Sequence, residues 1–358
     1  MQIVAARPNY MKVAPIMAEM AYFPQLFQQV CVHTGQHYDY NMSKIFFDDL
    51  GMPEPGYYLN AGSGTHAEQT AKVMLAFEPV VKEWKPDWVL VVGDVNSTLA
   101  CALVCSKLGI RVAHVEAGLR SGDRSMPEEI NRLLTDQLAD LLFTPSLDGD
   151  ANLLREGIPA EKIHFVGNVM IDSLVRMMPK IETRQTVSEL GLSEGGYVLV
   201  TLHRPSNVDD PERLGQLMQT LNQICEKLPV IFPVHPRTRA RLAEPGTSRP
   251  QPELRLLEPM GYLDFIAVMK SARLVLTDSG GVQEETTFLG VPCLTARPNT
   301  ERPVTVETGT NRLIDSTPQA ILTAVEQELS GARKRVARVP DLWDGAAAKR
   351  IVEVFRNS

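Results

Sequence analysis

The sequence of 358 residues has few cysteines and no long uninterrupted apolar stretch. Its 5 cysteines are odd in number and form no CxxC pair, which argues against a structural disulfide. No apolar run approaches the roughly 20 residues of a membrane span, and no signal-peptide pattern opens the chain. We therefore expect a cytoplasmic protein with reduced cysteines and no membrane partner.

Positive charge is also scarce. The 36 lysines and arginines are outnumbered by 43 aspartates and glutamates, which gives a formal net charge of −7. Because binding to duplex nucleic acid needs a basic surface that neutralises phosphates, a nucleic acid partner is not expected. An acidic protein can still bind a single phosphate group where local cations and helix N-termini converge.

Short apolar segments alternate with segments of helical periodicity along the whole chain. The apolar segments are rich in Val, Ile and Leu and do not alternate with polar residues, which is typical of parallel strands covered on both faces. The expected strands are residues 2–6, 30–33, 88–92, 112–115, 141–144 and 163–166, then 197–202, 230–234, 254–257, 274–277 and 291–294.

This pattern predicts the α/β class, with two Rossmann-like, doubly wound domains. A break near residues 167–172 separates the two series of strands, so we expect domains at 1–168 and 169–342. The last segment, about 343–358, has helical periodicity and is expected to pack back on the first domain. Such a fold would bind its ligand in the cleft between the domains.

Three carboxylates follow strands in the first half. Asp94 comes after strand 88–92, Glu116 after strand 112–115, and Glu128 begins the next helix. Taken singly, Asp94 could be a helix cap and Glu128 could form a surface salt bridge with Arg132 at i, i+4. Together they would lie at one sheet edge, where crowded carboxylates supply an acid and a base near neutral pH. We therefore expect catalytic carboxylates.

Cations and histidines also lie near strand ends in the first half. Arg7 and Lys12 follow the first strand and could attract a phosphate, although a solvated helix start would look the same. His33 and His37 are four apart, but no third ligand of matching spacing follows, so no metal site is expected.

In the second half, His203 follows strand 197–202 beside an arginine, and His235 repeats this arrangement after strand 230–234. Imidazole and guanidinium groups at a strand end suit a diphosphate, whereas a histidine without a nearby anion is more often structural.

The strongest local pattern follows strand 274–277. Ser279, Gly280 and Gly281 form a turn that leads into a helix. The glycines let backbone N–H groups approach phosphate oxygens, and the helix dipole favours negative charge there. Glu285 lies one turn into that helix, where its carboxylate could accept both hydroxyls of a ribose.

Six motifs occur in order between about residues 4 and 313: HTGQH, GDVNST, HVEAGLR, PEEINR, TDSGGVQEE and TERP. As a set they resemble the non-hydrolysing UDP-N-acetylglucosamine 2-epimerases. The resemblance implies a two-domain fold of the GT-B glycosyltransferase type, a UDP-sugar ligand and a homodimer. It also implies that neither a metal nor a nicotinamide cofactor is required.

The resemblance also implies site residues. In the second half, Glu285 would bind the ribose and Phe265 would pack on the uracil ring. The diphosphate would contact Arg7, His203, Ser279, Gly280 and Gly281. Asp94, Glu116 and Glu128 would surround the sugar. The cations near the reacting region would be Lys12, Arg132 and Arg302.

Some positions depart from the family pattern. Ala5 stands where glycine is common, and the link between HVEAGLR and PEE is shorter than in the common bacterial form. The shorter link and the block 41–50 resemble relatives that act on UDP-2,3-diacetamido-glucuronate, so a modified UDP-hexose is an alternative substrate. Around 33–37 and 61–69 the set that binds a second, regulatory UDP-sugar is incomplete.

The expected reaction interconverts UDP-GlcNAc and UDP-ManNAc and would feed cell-surface polysaccharide synthesis. UDP leaves C1, a carboxylate removes the C2 proton, and a 2-acetamidoglucal-type intermediate is re-protonated on the other face. His203 would stabilise or protonate the departing phosphate. The alternatives are a hydrolysing epimerase, a glycosyltransferase of the same fold and a non-catalytic sensor, which would gain nothing from clustered carboxylates.

Overall fold

The computed structural model describes residues 1–5, 7–35, 50–62, 64–242, 251–331 and 337–358. The side chains of Arg7, Pro236 and Arg237 also lie outside the described part. Two compact units result: Met1–Arg176 with Asp341–Ser358, and Met177–Pro340. The division falls inside the helix that follows the expected boundary at residue 168.

The first unit contains a seven-stranded sheet in which every pairing is parallel. Its strands are β1 Gln2–Val4, β2 Cys31–His33, β3 Tyr57–Tyr58, β4 Trp88–Val92, β5 Arg111–Val115, β6 Leu141–Thr144 and β7 Ile163–Phe165. They lie in the order β3-β2-β1-β4-β5-β6-β7. Chain order therefore reverses between β1 and β4, which is where such sheets bind ligands.

Helices connect these strands. They are α1 Arg7–Met20, α2 His66–Trp84, α3 Asn96–Leu108, α4 Pro127–Leu138, α5 Leu147–Arg155 and α6 Val169–Glu182, with a 3-10 turn at Ala160–Lys162. Local sequence explains their ends. Thr65 and Glu68 form a capping box at the start of α2, and Gly109 ends α3 at a φ of +68°.

The second unit has a six-stranded parallel sheet in the order β10-β9-β8-β11-β12-β13. The strands are β8 Val198–Thr201, β9 Val230–Pro233, β10 Leu254–Leu257, β11 Leu274–Thr277, β12 Cys293–Ala296 and β13 Asn311–Ile314. The helices are α7 Thr186–Glu189, α8 Pro205–Val208, α9 Pro211–Cys225, α10 Pro236–Leu242, α11 Tyr262–Lys270, α12 Gly280–Leu289, α13 Pro303–Glu307 and α14 Pro318–Leu329. Here chain order reverses between β8 and β11.

The last helix, α15 Ala347–Arg356, belongs to the first unit. Asp172 on α6 accepts the backbone N–H groups of Ala347 at 3.1 Å and Ala348 at 2.6 Å, which caps the start of α15. Phe355 packs edge-on against Trp88, with ring centroids 5.4 Å apart. The first unit is therefore built from two separate stretches of chain.

Every strand expected from the sequence has a counterpart, which confirms that part of the prediction. The sequence missed β3, which has two half-buried residues, and β13, whose apolar pattern is broken by Asn311 and Arg312. All five cysteines are buried and free, as expected. Within the described ranges, no helix is both long and apolar enough to cross a membrane.

Candidate active site

The first group of side chains lies beyond β5, around Glu116. This residue has a φ of +68°, a left-handed conformation that is uncommon for any residue except glycine. Its side chain is buried and pairs with the buried Lys12, whose Nζ donates to Oε2. The other carboxylate oxygen, Oε1, has no hydrogen-bond partner among the described residues. An ion pair therefore holds Glu116, and its second carboxylate oxygen is buried without a hydrogen bond among the described residues.

Gly93 makes room for this ion pair. It has a φ of +66°, and a Cβ added to it would lie 2.9 Å from Lys12 Nζ and 3.7 Å from Glu116 Oε2. Both the backbone conformation and the close approach of Lys12 require glycine here.

Asp94 follows Gly93 and pairs with Arg132. Arg132 Nε lies 3.0 Å and Nη2 2.8 Å from Asp94 Oδ2. The buried Arg132 also donates through Nη1 to Glu129. The surface pair of Glu128 with Arg132 that the i, i+4 spacing suggested is therefore wrong, because this guanidinium points toward Asp94 and Glu129. Glu129 is a site residue that the sequence reasoning missed.

Glu129 connects Arg132 to the loop that precedes α4. Its Oε2 accepts from the backbone N–H of Ser121 at 3.0 Å, and its Oε1 accepts from Gly122 at 2.9 Å. Burial tends to raise the pKa of Glu129, but these backbone hydrogen bonds and the charge of Arg132 outweigh it and lower the pKa. Glu129 thus remains an anion that fixes Arg132.

Glu128 is exposed and lines a cavity of about 390 Å³ together with Asp94. One wall of this cavity carries amide side chains. Asn131 Nδ2 lies 2.9 Å from the backbone oxygen of Asp94 and 3.2 Å from Asn96 Oδ1. Asn96 Nδ2 in turn donates to Gln69 Oε1 at 2.7 Å. The asparagines belong to the GDVNST and PEEINR motifs, but nothing local indicated that they meet.

In the second unit, Asp278 organises the turn after β8. This fully buried carboxylate accepts the backbone N–H groups of His203 at 3.0 Å and Arg204 at 2.9 Å, and the amide of Asn207 at 2.9 Å. It also lies 3.2 Å from His203 Nδ1. The His203 side chain is 42% exposed, and its ring centroid is 5.9 Å from that of His235. The two predicted histidines therefore lie close together, next to Asp278. The sequence had suggested no role for Asp278.

Arg302 lies against the first turn of α12. A Cβ added to Gly280 would approach Arg302 Nη1 to 2.6 Å, so a larger residue would displace the guanidinium. Arg302 pairs with Glu284, at 2.7 Å from Nε to Oε1, and with Glu301, at 2.6 Å from Nη1 to Oε1. Glu301 also pairs with Arg297 at 2.7 Å. The position of Arg302 is thus fixed by buried acidic residues that were not predicted.

Ser279 precedes α12 as its N-cap, and Gly281 lies in its first turn. Further along that helix, burial raises the pKa of Glu285 to about 8, a hydrogen bond from Tyr262 opposes this shift, and the charge of Glu284 adds to it. Burial likewise raises the pKa of Tyr262 well above its ordinary value. Phe265 lies one turn beyond Tyr262 on α11 and is half-buried.

The structure thus groups the predicted residues by unit. In the first unit, Lys12, Asp94, Glu116, Glu128 and Arg132 lie at one sheet edge. The second unit groups His203 with His235, Gly280 with Arg302, and Glu285 with Tyr262. The predicted side chain of Arg7 and the motif residues 36–37 and 41–49 lie outside the described part. Among the described residues, no group of three or more His, Cys, Asp or Glu is arranged to hold a metal ion.

Known proteins resemble the whole chain. The sequence model of the UDP-N-acetylglucosamine 2-epimerase family matches residues 24–356. The UDP-N-acetylglucosamine 2-epimerase of Methanocaldococcus jannaschii is 45% identical, over 99% of this chain and 97% of the relative. The UDP-2,3-diacetamido-2,3-dideoxy-D-glucuronate 2-epimerase of Pseudomonas aeruginosa is 42% identical, over 98% of this chain and 97% of the relative.

Solved structures agree. The Methanocaldococcus jannaschii UDP-GlcNAc 2-epimerase in complex with UDP-GlcNAc and UDP has a TM-score of 0.89 at 43% identity, covering 100% of this chain and 99% of that one. The Neisseria meningitidis UDP-GlcNAc 2-epimerase bound to UDP-GlcNAc has a TM-score of 0.90 at 30% identity, with the same coverage.

These likenesses define the class of protein, which is an enzyme with two Rossmann-like domains of the GT-B type, as the sequence predicted. The chain belongs to the UDP-N-acetylglucosamine 2-epimerase family. It is therefore an isomerase that epimerises UDP-sugars.

Proposed function

We propose that the protein interconverts UDP-GlcNAc and UDP-ManNAc without hydrolysis, by elimination and re-addition of UDP. The observation that carries the proposal is the pair of carboxylates at one sheet edge, each held by its own cation. Lys12 holds Glu116, and Arg132 holds Asp94. Each ion pair fixes its carboxylate in place, as a proton-transfer group requires.

In the first half of the reaction, the C1–O bond to UDP breaks and its electron pair leaves with the diphosphate. Positive charge on the ring then makes the C2 proton acidic. A carboxylate takes that proton, and the electrons of the C2–H bond form the C1–C2 double bond of a 2-acetamidoglucal. Glu116 Oε1 is buried and makes no hydrogen bond among the described residues, which supports a role in this transfer.

In the second half, a proton is added to C2 from the opposite face and the diphosphate returns to C1. Two proton-transfer groups on opposite faces are needed, and we assign these transfers to Asp94, Glu116 and Glu128 together. Asp94 and Glu128 line the same cavity, which supports their joint action on one sugar ring.

The nucleotide would be bound by residues of the second domain, together with Arg7. His203, His235, Arg7 and the Ser279–Gly281 turn would contact the diphosphate, with Arg302 beside the turn. Glu285 would accept the ribose hydroxyls, and Phe265 would pack on the uracil. His203 would stabilise or protonate the departing phosphate, a role supported by its exposure beside Asp278.

The biological setting is part of the same proposal. The enzyme would work in the cytoplasm as a homodimer and supply UDP-ManNAc for cell-surface polysaccharide synthesis. A second substrate is supported by the 42% identity to the Pseudomonas aeruginosa relative, whose name specifies UDP-2,3-diacetamido-2,3-dideoxy-D-glucuronate. The same carboxylates would serve either substrate, because the chemistry at C1 and C2 is common to both.

The test is incubation of the enzyme with UDP-GlcNAc in D2O, followed by NMR of the products. We expect UDP-ManNAc and recovered UDP-GlcNAc that both carry deuterium at C2, with no build-up of free sugar. Free N-acetylmannosamine with UDP would instead indicate the hydrolysing reaction. A parallel incubation with UDP-2,3-diacetamido-glucuronate compares kcat/KM for the two substrates.

Variants locate the chemistry. Asp94→Asn and Glu116→Gln should each lose more than about 10²-fold in kcat while UDP still binds, because each removes a proton-transfer group and spares the second domain. Glu19→Gln, on α1 of the same unit, is a control outside the site. Turnover at the normal rate in both site variants would overturn the assignment.

A further inference from the structure

His114 lies on β5, two residues before Glu116, and is fully buried. Its Nε2 is 2.9 Å from the backbone carbonyl oxygen of Gly93, the residue before Asp94. Its Nδ1 is 2.6 Å from Asp136 Oδ1. One imidazole ring therefore joins the strand that carries Glu116 to the turn that carries Asp94.

Both neighbours of the ring are hydrogen-bond acceptors. The carbonyl oxygen of Gly93 can only accept, so Nε2 must carry a proton. A neutral ring with its proton on Nε2 would then direct the Nδ1 lone pair at the carboxylate of Asp136. Only two arrangements avoid that repulsion: a proton on both ring nitrogens, or a protonated Asp136.

The surroundings of Asp136 decide between them. Its other oxygen, Oδ2, lies 2.7 Å from Arg120 Nη2 and accepts the backbone N–H of Gly118 at 3.1 Å. Both groups on Oδ2 are hydrogen-bond donors, and the positive charge of Arg120 favours the ionised form of the Asp136 carboxyl. Asp136 is therefore the anion.

We propose that His114 is a buried cation, protonated on both ring nitrogens, that positions Asp94 through the Gly93 carbonyl and Glu116 through strand β5. The proposal rests on the catalytic roles of Asp94 and Glu116 given above. The charged groups around the ring are Asp136 from α4 and Arg120 from the loop after β5, with the pair of Lys12 and Glu116 beyond Gly93.

A fixed cation here has two consequences. It holds the Gly93 carbonyl and so sets the direction in which the chain leaves toward Asp94. It also offsets part of the negative charge that Asp94, Glu116 and Glu128 bring to one sheet edge. His114 would touch no substrate, so it is a positioning residue and not a catalytic one.

The direct test is NMR of the ring nitrogens in the full chain labelled with nitrogen isotope at histidine, at neutral pH and without ligand. Both nitrogens of His114 should appear protonated, with the signals assigned by their loss in His114→Gln. His164 on β7 is an internal reference, because burial lowers its pKa and keeps it neutral. An unprotonated nitrogen in His114 would overturn the proposal whatever the enzyme proves to catalyse.

Kinetics test the positioning role. In Asp136→Asn, the ring loses its anionic partner and becomes neutral, so kcat should fall at least about tenfold while KM changes less than about twofold. His164→Gln, which replaces another histidine of the same sheet, is the control and should have the kcat and KM of the wild type. Equal losses in UDP affinity and kcat, or an unchanged kcat, would refute the positioning role. If Asp136→Asn does not fold, the ring NMR still tests the charge of His114, because that measurement does not use this variant.

Discussion

Replacing Glu285 by glutamine should make the protein more stable in alkaline solution than the wild type. The buried carboxyl has its pKa raised to about 8, compared with an ordinary value of 4.5. The folded protein therefore binds this proton more tightly than the unfolded chain does. Its stabilising contribution is complete below about pH 4.5 and is lost as the pH rises through about 8.

The size of the effect follows from the same difference. The gap between about 8 and 4.5 corresponds to about 5 kcal/mol, lost at about 1.4 kcal/mol per pH unit. Glutamine has no proton to lose, so Glu285→Gln should unfold with little of this pH dependence. The free energy of unfolding should then be similar in the two proteins near pH 5 and higher in the variant at pH 9.

Urea unfolding across that pH range measures the difference. All 3 tryptophans, Trp84, Trp88 and Trp343, lie in the first unit, so their fluorescence follows that unit alone. Circular dichroism follows both units and is needed to detect the second. Glu189→Gln, an exposed carboxylate of the second unit, is the matched control. A difference between Glu285→Gln and the wild type that stays constant with pH would refute the reasoning.

Two glycine substitutions test close contacts in the two units. Gly93→Ala places a Cβ 2.9 Å from Lys12 Nζ at a φ of +66°, so it should cost about 1–3 kcal/mol in stability and disturb the pair with Glu116, lowering kcat. Normal thermal stability and turnover would contradict this. Gly280→Ala places a Cβ 2.6 Å from Arg302 Nη1, so calorimetry should show about tenfold weaker UDP binding if Arg302 supports the diphosphate. Gly215→Ala, whose Cβ would meet no atom within 4 Å, is the control for both, and UDP affinity equal to that control would contradict the Gly280 prediction.

Much of the fold could be predicted because its signals are local. Apolar runs such as β4 and β11 are continuous and bounded by polar turns, so their strands and the polar residues after them were clear. The strand β3 gives no such signal, because it consists of two half-buried tyrosines and is too short to show a pattern of apolar residues. The expected start of β12 was two residues early because apolar Val291 precedes Pro292, while the strand begins at Cys293.

The site was harder to predict because its pairings connect distant parts of the chain. Local spacing suggested Glu128 as the partner of Arg132, yet the tertiary fold brings Asp94 to it from another strand end. Asp278 could be recognised as part of its motif. Its hydrogen bond with the backbone N–H of His203, however, forms only because strands β8 and β11 are neighbours in the sheet. Sequence patterns indicate which residue types lie at the carboxyl edge of a sheet. Only the three-dimensional fold determines which of their atoms are in contact.

The capping of α15 by Asp172 determines when the first unit can finish folding during synthesis. A ribosome releases residues 1–176 first, but the helix that completes their packing follows the entire second unit. Until then Trp88 lacks its neighbour Phe355, and the first unit has an open apolar face. The first unit can therefore complete its packing only after the whole second unit has been synthesised.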